Sequence, residues 1–105
     1  MVRGEVFRLR APRGGRGAAQ RGGRFAVVVQ ADELLALSTV FVAPTLRSAP
    51  PRSFRPAIEL EGESTRVLVE QTTAVAPDRL GDSVGRLSAT ELHDVDAALA
   101  LLFGL

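Results

Sequence analysis

RVLVEQTTAVAPDRLGDSVGRLSATELHDVDAALALLFGL, residues 66–105, is the stretch that decides the fold. Its second half reads as one well-marked helix. Ser88 followed by Glu91 makes a capping box, in which each side chain satisfies a backbone N–H that the first helical turn leaves open. Leu92, Val95, Leu99 and Leu102 then fall within an arc of roughly 80° at 3.6 residues per turn, the apolar stripe of a helix lying on a core. Gly104 stands where a helix stop belongs. Leu101 points to the opposite side, as a lone surface leucine or a partner contact. His93 lies on the polar side and reads as a surface group. Asp94 and Asp96 read as a solvated face, since an octahedral oxygen site needs more converging ligands. Before the helix, Thr65–Glu70 (TRVLVE) predicts a strand, Ala76–Gly81 a single turn, and the segment near Asp82–Leu87 a last strand.

Working outward toward the N-terminus, short strands and basic loops alternate. Ala57–Leu60 predicts a strand joined to Thr65–Glu70 through the acidic turn Glu61–Gly62–Glu63. Thr45–Pro56 holds three prolines and three arginines (47, 52 and 55) and predicts a basic loop stiffened by proline. Thr39–Pro44 (TVFVAP) predicts a strand stopped by Pro44. Ala31–Leu37 has room for one helical turn with Asp32 near its start. Phe25–Gln30 (FAVVVQ) is a continuous apolar run, the pattern of a strand buried on both faces. Residues 11–23 hold five glycines with arginines at 13, 16 and 21, a composition for a long basic loop. Glu5–Arg10 alternates and predicts the first strand. Together these elements predict a mainly β domain over 1–105 without internal repeats: a small, strongly curved barrel closed by a C-terminal helix.

Composition narrows the chemistry. The chain has no cysteine and a single histidine, so disulfides, iron–sulfur clusters, structural zinc, thiol catalysis and a two-histidine acid–base pair are all excluded. No apolar stretch follows a basic start, and the run Ala97–Phe103 is far short of the roughly 20 residues of a membrane span. A cytoplasmic protein, without membrane contact, is expected. All thirteen basic residues are arginine. Residues 1–56 carry ten of them against three acids, and residues 57–105 carry three against nine. Such segregation predicts a face for a polyanion and a separate acidic region. Arginine suits phosphate because its planar fork binds two oxygens at once.

With the elements laid out, the sequence resembles the MazF/PemK toxins along nearly its whole length. RGEVFRL at 3–9 is similar to the family's opening strand, GAAQRGGRFAVVVQAD at 17–32 to its first loop and second strand, and TVFVAPT at 39–45 to its third. In the C-terminal third, VLVEQ, DRLG, GRLS and VDAAL recur in family order and spacing, which is the most specific part of the match. The resemblance implies an SH3-like barrel of the CcdB/PemK type, usually a homodimer. It also implies a toxin that cleaves single-stranded RNA without metal or cofactor and is neutralised by an antitoxin whose acidic tail occupies the RNA groove.

The resemblance assigns roles residue by residue. Arg24 matches the family's catalytic arginine, and its chemistry suits an electrostatic clamp on the phosphorane more than a proton donor. Thr45 is the candidate hydroxyl for the scissile phosphate; many members carry Thr or Ser one position later, where this chain has Leu46, and Ser48 is a second candidate. Gln20 and Gln71 match positions near the groove that read base edges. Arg13, Arg16, Arg21, Arg47, Arg52 and Arg55 are candidate phosphate contacts from the two loops. Phe25 stands where the family has proline, as a stacking face for a base or as core. Ala19 replaces a frequent glutamate and Ala31 an asparagine, which removes a candidate general base and a base-reading amide. Two rival readings share the fold: a non-catalytic CcdB-like toxin that binds gyrase, and a degenerate homologue that only binds antitoxin.

Overall fold

A computed structural model describes residues 1–10 and 24–105; the expected loop at 11–23, with Arg13, Arg16, Gln20 and Arg21, lies outside the described residues. Among the described residues, seven strands and one helix follow in order: β1 Glu5–Leu9, β2 Phe25–Val28, β3 Val40–Leu46, β4 Ala57–Leu60, β5 Glu63–Val67, β6 Thr73–Val75, β7 Leu80–Arg86 and α1 Ala89–Phe103. Short 3₁₀ turns occupy Asp32–Leu34, Val69–Gln71 and Pro77–Arg79. The first and last fall where single turns are expected. All strand pairs are antiparallel, in the order β4-β5-β3-β2-β1-β7, with β6 added to β3. β3 is the hinge of the sheet: its first half pairs with β6 and its last two residues with β5. The result is a curled antiparallel half-barrel with the helix against it.

β2 is buried on both faces, as its unbroken apolar run requires. Val27 joins the cluster of Val6, Ala43, Ile58, Val67 and Val69 that receives Val95 and Ala98 of the helix. Ala26 and Val28 point the other way, to Val40, Val42, Val75 and Leu80. The β2 ladder ends at Val28, and Gln30 replaces it with its side chain. That amide accepts from the Phe41 N–H at 2.9 Å and donates to the Leu34 carbonyl at 2.7 Å, sealing the excursion between β2 and β3.

Three expectations are corrected. β3 does not stop at Pro44 but runs on to Leu46, because Pro44 sits where the sheet needs no N–H. Its carbonyl accepts from Leu68 N–H at 2.8 Å, and the Leu68 carbonyl, which would otherwise want a donor there, takes the Gln71 N–H at 2.9 Å. The Thr65–Glu70 strand is displaced to Glu63–Val67. Val67, Leu68 and Val69 are all buried in succession, which an alternating strand on one sheet cannot achieve, so the chain turns at Leu68 (φ −91°, ψ 78°). After that turn comes β6, a strand of three residues that the sequence pattern does not announce.

The helix is capped as expected: Glu91 N–H donates to Ser88 Oγ at 3.1 Å and Ser88 N–H to Glu91 Oε1 at 2.9 Å. Gly104, at φ 71°, takes the left-handed turn that ends it. The apolar stripe departs from expectation at one end. Val95 and Ala98 are the buried residues and Leu92 and Leu99 are half-buried, whereas Leu102 is 41% exposed because the helix runs past the edge of the core. Arg3 ties the helix to the N-terminus, with Nη1 at 2.7 Å from Asp96 and Nε donating to the Val29 carbonyl at 2.8 Å. His93 is exposed.

Candidate nucleic-acid groove

A groove of about 480 Å³ opens over the β1–β2–β3–β5 surface. Arg8, Arg24, Phe25, Thr45, Leu46, Arg47, Ser48, Leu60, Glu61, Glu63 and Thr65 line it, and the register explains how residues so far apart in sequence meet there. Arg8 lies opposite Phe25 across β1–β2, and Thr45 opposite Val67 across β3–β5. Thr45 is 4% exposed, in the strand rather than in a loop, because β3 continues through Pro44. Five residues singled out by sequence therefore come together: Arg24, Phe25, Thr45, Arg47 and Ser48.

The electrostatics are mixed within this one groove. Arg8 holds its guanidinium 5.0 Å from the Phe25 ring centroid and 3.3 Å from Glu61 Oε2. Arg47 pairs with Glu63. Arg24, half-buried, forms no ion pair with a described acid. Phe25, half-buried, packs on the core and turns its other face to the groove, under Arg8. Thr65, 3% exposed, keeps a hydroxyl in the groove wall without a hydrogen-bond partner among the described residues. The expected separation of a basic face from an acidic region is corrected here. The β4–β5 hairpin folds back and sets two acids of the C-terminal half against arginines of the N-terminal half.

Other candidates lie elsewhere. Arg52 is exposed and donates to the neighbouring Pro51 carbonyl at 2.7 Å. Arg55 is held by Glu70, with Nη2 at 2.7 Å and Nε at 2.9 Å from the same carboxylate oxygen, and lies 5.5 Å from the Phe54 ring. Gln71 is exposed on the 3₁₀ turn and does not line the groove. The proline-stiffened loop thus contributes only its beginning. Arg8, Glu61, Glu63 and Thr65 escape sequence reasoning. Only the cross-strand register, which pairs Arg8 with Phe25 and Leu60 with Glu63, carries that signal.

A second, apolar depression of about 700 Å³ lies on another surface, lined among others by Leu34, Leu37, Phe41, Leu99, Leu102 and Phe103. Of these, Leu34, Leu37, Phe41, Leu102 and Phe103 are exposed. No described helix is long and apolar enough to cross a membrane. Among the described residues no group of three or more His, Asp or Glu side chains is placed to hold a metal ion.

Known proteins resemble this chain in both sequence and shape. The family model for the PemK-like, MazF-like toxin of type II toxin–antitoxin systems matches residues 2–103. A Mycobacterium tuberculosis protein whose name reads "Putative toxin" is 38% identical over 106 residues, covering 100% of this chain and 99% of the relative. Among solved structures, a mycobacterial endoribonuclease in complex with its cognate antitoxin superposes with a TM-score of 0.82 at 18% identity, over 100% of this chain and 96% of that one. MazF from Deinococcus radiodurans does so with a TM-score of 0.78 at 20% identity, over 100% and 97%. At those identities the structures establish the fold, while the family match and the close relative establish kinship: the chain belongs to the PemK-like, MazF-like toxins of type II toxin–antitoxin systems.

Proposed function

We propose that this toxin is a metal-independent endoribonuclease that cuts single-stranded RNA in the Arg24/Thr45 groove. The observation that carries the reading is the meeting of Arg24, just ahead of β2, and Thr45, in β3, in one groove that also offers Arg8, Arg47 and an aromatic face. The chemistry needs these groups, the substrate and solvent water. The ribose 2′-oxygen attacks the adjacent phosphorus and gives its proton to water, the P–O5′ bond breaks, and the departing 5′-oxygen takes a proton from water. The products are a 2′,3′-cyclic phosphate and a 5′-hydroxyl end. Arg24 holds two non-bridging oxygens of the phosphorane with its fork, and the Thr45 hydroxyl donates to the same phosphate, so charge developing in the transition state meets donors already in place. A flanking base stacks on the Arg8 guanidinium where it lies over Phe25, and Arg47 and Ser48 hold an adjoining phosphate. Arg13, Arg16, Gln20 and Arg21 remain proposed contacts of the strand. Arg52 and Gln71 are reached only by a strand extending beyond the groove.

The acidic tail of a cognate antitoxin would compete for the same arginines. The molecule acts in the cytoplasm as a homodimer, its second copy covering the apolar depression around Phe41 and Phe103. Incubating purified protein with long single-stranded RNA in excess EDTA tests the reading. Discrete cuts with 5′-hydroxyl ends, lost in Arg24→Ala, are expected. An intact RNA after incubation with folded wild type would turn attention to gyrase or antitoxin binding as the toxin's mode of action.

A further inference from the structure

The β4–β5 hairpin delivers the groove's only described acids. Leu60 pairs with Glu63, and Glu61 and Gly62 form the two-residue turn between them, at φ 53° and 81°. A non-glycine residue at positive φ is uncommon, and here that conformation aims the Glu61 carboxylate at Arg8. Glu63, at the start of β5, reaches Arg47. Each carboxylate thus occupies a guanidinium that the groove would otherwise offer to a backbone phosphate. The two pairs are well exposed, with side chains 47–67% accessible, so they are weak and readily exchanged for another anion. The hairpin tip has room to withdraw: Glu61, Gly62 and Glu63 are exposed, and a Cβ built on Gly62 would meet nothing within 4 Å. When Glu61 leaves, Arg8 stays in place, because its guanidinium still rests on the Phe25 ring.

We propose that Glu61 and Glu63 are a built-in anionic competitor of the bound strand. They compete with the strand's phosphates for Arg8 and Arg47, so that the bound wild type makes these two contacts only in part, and thereby set the affinity and salt dependence of the groove. This rests on the nuclease reading only for the nature of the natural ligand; any phosphate-bearing single strand should feel the same competition. A short oligonucleotide that fills only the Arg24 position does not meet the tip, whereas a strand that brings phosphates to Arg8 and Arg47 as well competes with both carboxylates. The pair therefore discriminates by strand length.

The test uses the whole protein and a single-stranded 2′-O-methyl RNA, which cannot be cut, with binding measured over a salt series. In Glu61→Gln/Glu63→Gln the affinity at low salt should rise about five- to tenfold. The plot of log K against log salt should steepen by up to about 1.4, since each arginine freed for a phosphate adds roughly 0.7 on single strands. Glu59→Gln removes an exposed charge from the same hairpin outside the groove and should leave the slope unchanged. An unchanged slope in the double variant, an equal gain in Glu59→Gln, or weaker binding would each overturn the proposal. Cleavage of ordinary RNA by the wild type, run alongside, separates the two readings. Cutting with an unchanged slope sinks the competitor alone, and a steeper slope without cutting sinks the nuclease alone.

Discussion

Arg24 and Thr45 differ in what their removal should do. Arg24 is half-buried, so Arg24→Ala should cost little stability while slowing cleavage on the order of 100–1000-fold. Thr45 is 4% exposed within β3, and alanine there would mix lost packing with lost chemistry. Thr45→Val keeps the branched shape and the strand preference, so stability should change by no more than about 1 kcal/mol. If the hydroxyl contacts the phosphate, single-turnover cleavage should fall about 100-fold at unchanged melting temperature; unchanged cleavage would return the role to Ser48. Glu5 offers a different kind of test. The Ser83 hydroxyl donates to it at 2.6 Å, and the Val2 N–H, the N-terminal charge and Arg86 add to this against the opposing cost of burial, so its carboxyl titrates below the usual range. A carboxylate that ionises more readily folded than unfolded stabilises the fold above the unfolded value of about 4.3. That contribution disappears as pH falls through the lowered folded value. Denaturant melts should therefore show wild type more stable than Glu5→Gln above about pH 5, with the gap closing in acid; a gap independent of pH would deny the linkage. At this scale the site was half legible. Arg24, Phe25, Thr45, Arg47 and Ser48 could be named because they flank strands at recognisable motif positions. Arg8, Glu61, Glu63 and Thr65 could not, because β1 and the β4–β5 hairpin reach the groove through pairing with β2 and β3, such as Arg8 with Phe25 and Thr45 with Val67, and no local pattern encodes that cross-strand register.

Among the elements, α1 was the most legible because its determinants are local: the cap, the apolar spacing and the glycine stop all lie within seventeen residues. What the local pattern could not reveal is that its capping glutamate also anchors the helix to the sheet. Glu91 Oε2 accepts the Glu59 N–H at 2.8 Å, while Oε1 accepts from Ser88. Ser88→Ala should therefore cost about 1 kcal/mol, the ordinary value of a lost N-cap. Glu91→Ala should cost more, because it removes its half of the capping box and also leaves a strand-edge N–H to water. Equal losses in urea melts would mean that the tie to β4 contributes nothing. The strands were less legible where tertiary demand overrides the local pattern. Pro44 reads as a stop, yet it lies in the strand because Leu68 needs its carbonyl and nothing there needs its N–H. Val67–Leu68–Val69 reads as a buried strand, but three successive side chains can all reach the interior only if the chain leaves the sheet. β6 is too short for its alternation to register at all.

For the whole molecule, the two grooves pose opposite problems of solvation. The Arg24/Thr45 groove is charged, and water or an anion suits it equally; the depression around Leu34, Leu37, Phe41, Leu102 and Phe103 is apolar and its rim exposed. Phe103, 64% exposed at the helix end, has no packing role among the described residues that would justify an aromatic there. The proposed homodimer gives it one, and also explains why the apolar stripe of α1 runs on to Leu102 beyond the core. Phe103→Asp places a charge at that face without touching the buried positions Val95 and Ala98, so the fold should survive. Sedimentation should then report wild type at twice the 11.2 kDa chain mass and the variant at the mass of one chain. A monomeric wild type would sink the dimer directly. The proposed site draws Arg24 and Thr45 from one chain, and on that reading the monomeric variant should keep its single-turnover rate on short RNA at saturation. Its affinity should fall only for strands long enough to engage both grooves of a dimer, since linking two sites makes the second binding event intramolecular. Loss of the chemical step itself, in a folded monomer, would mean that the partner subunit completes the site.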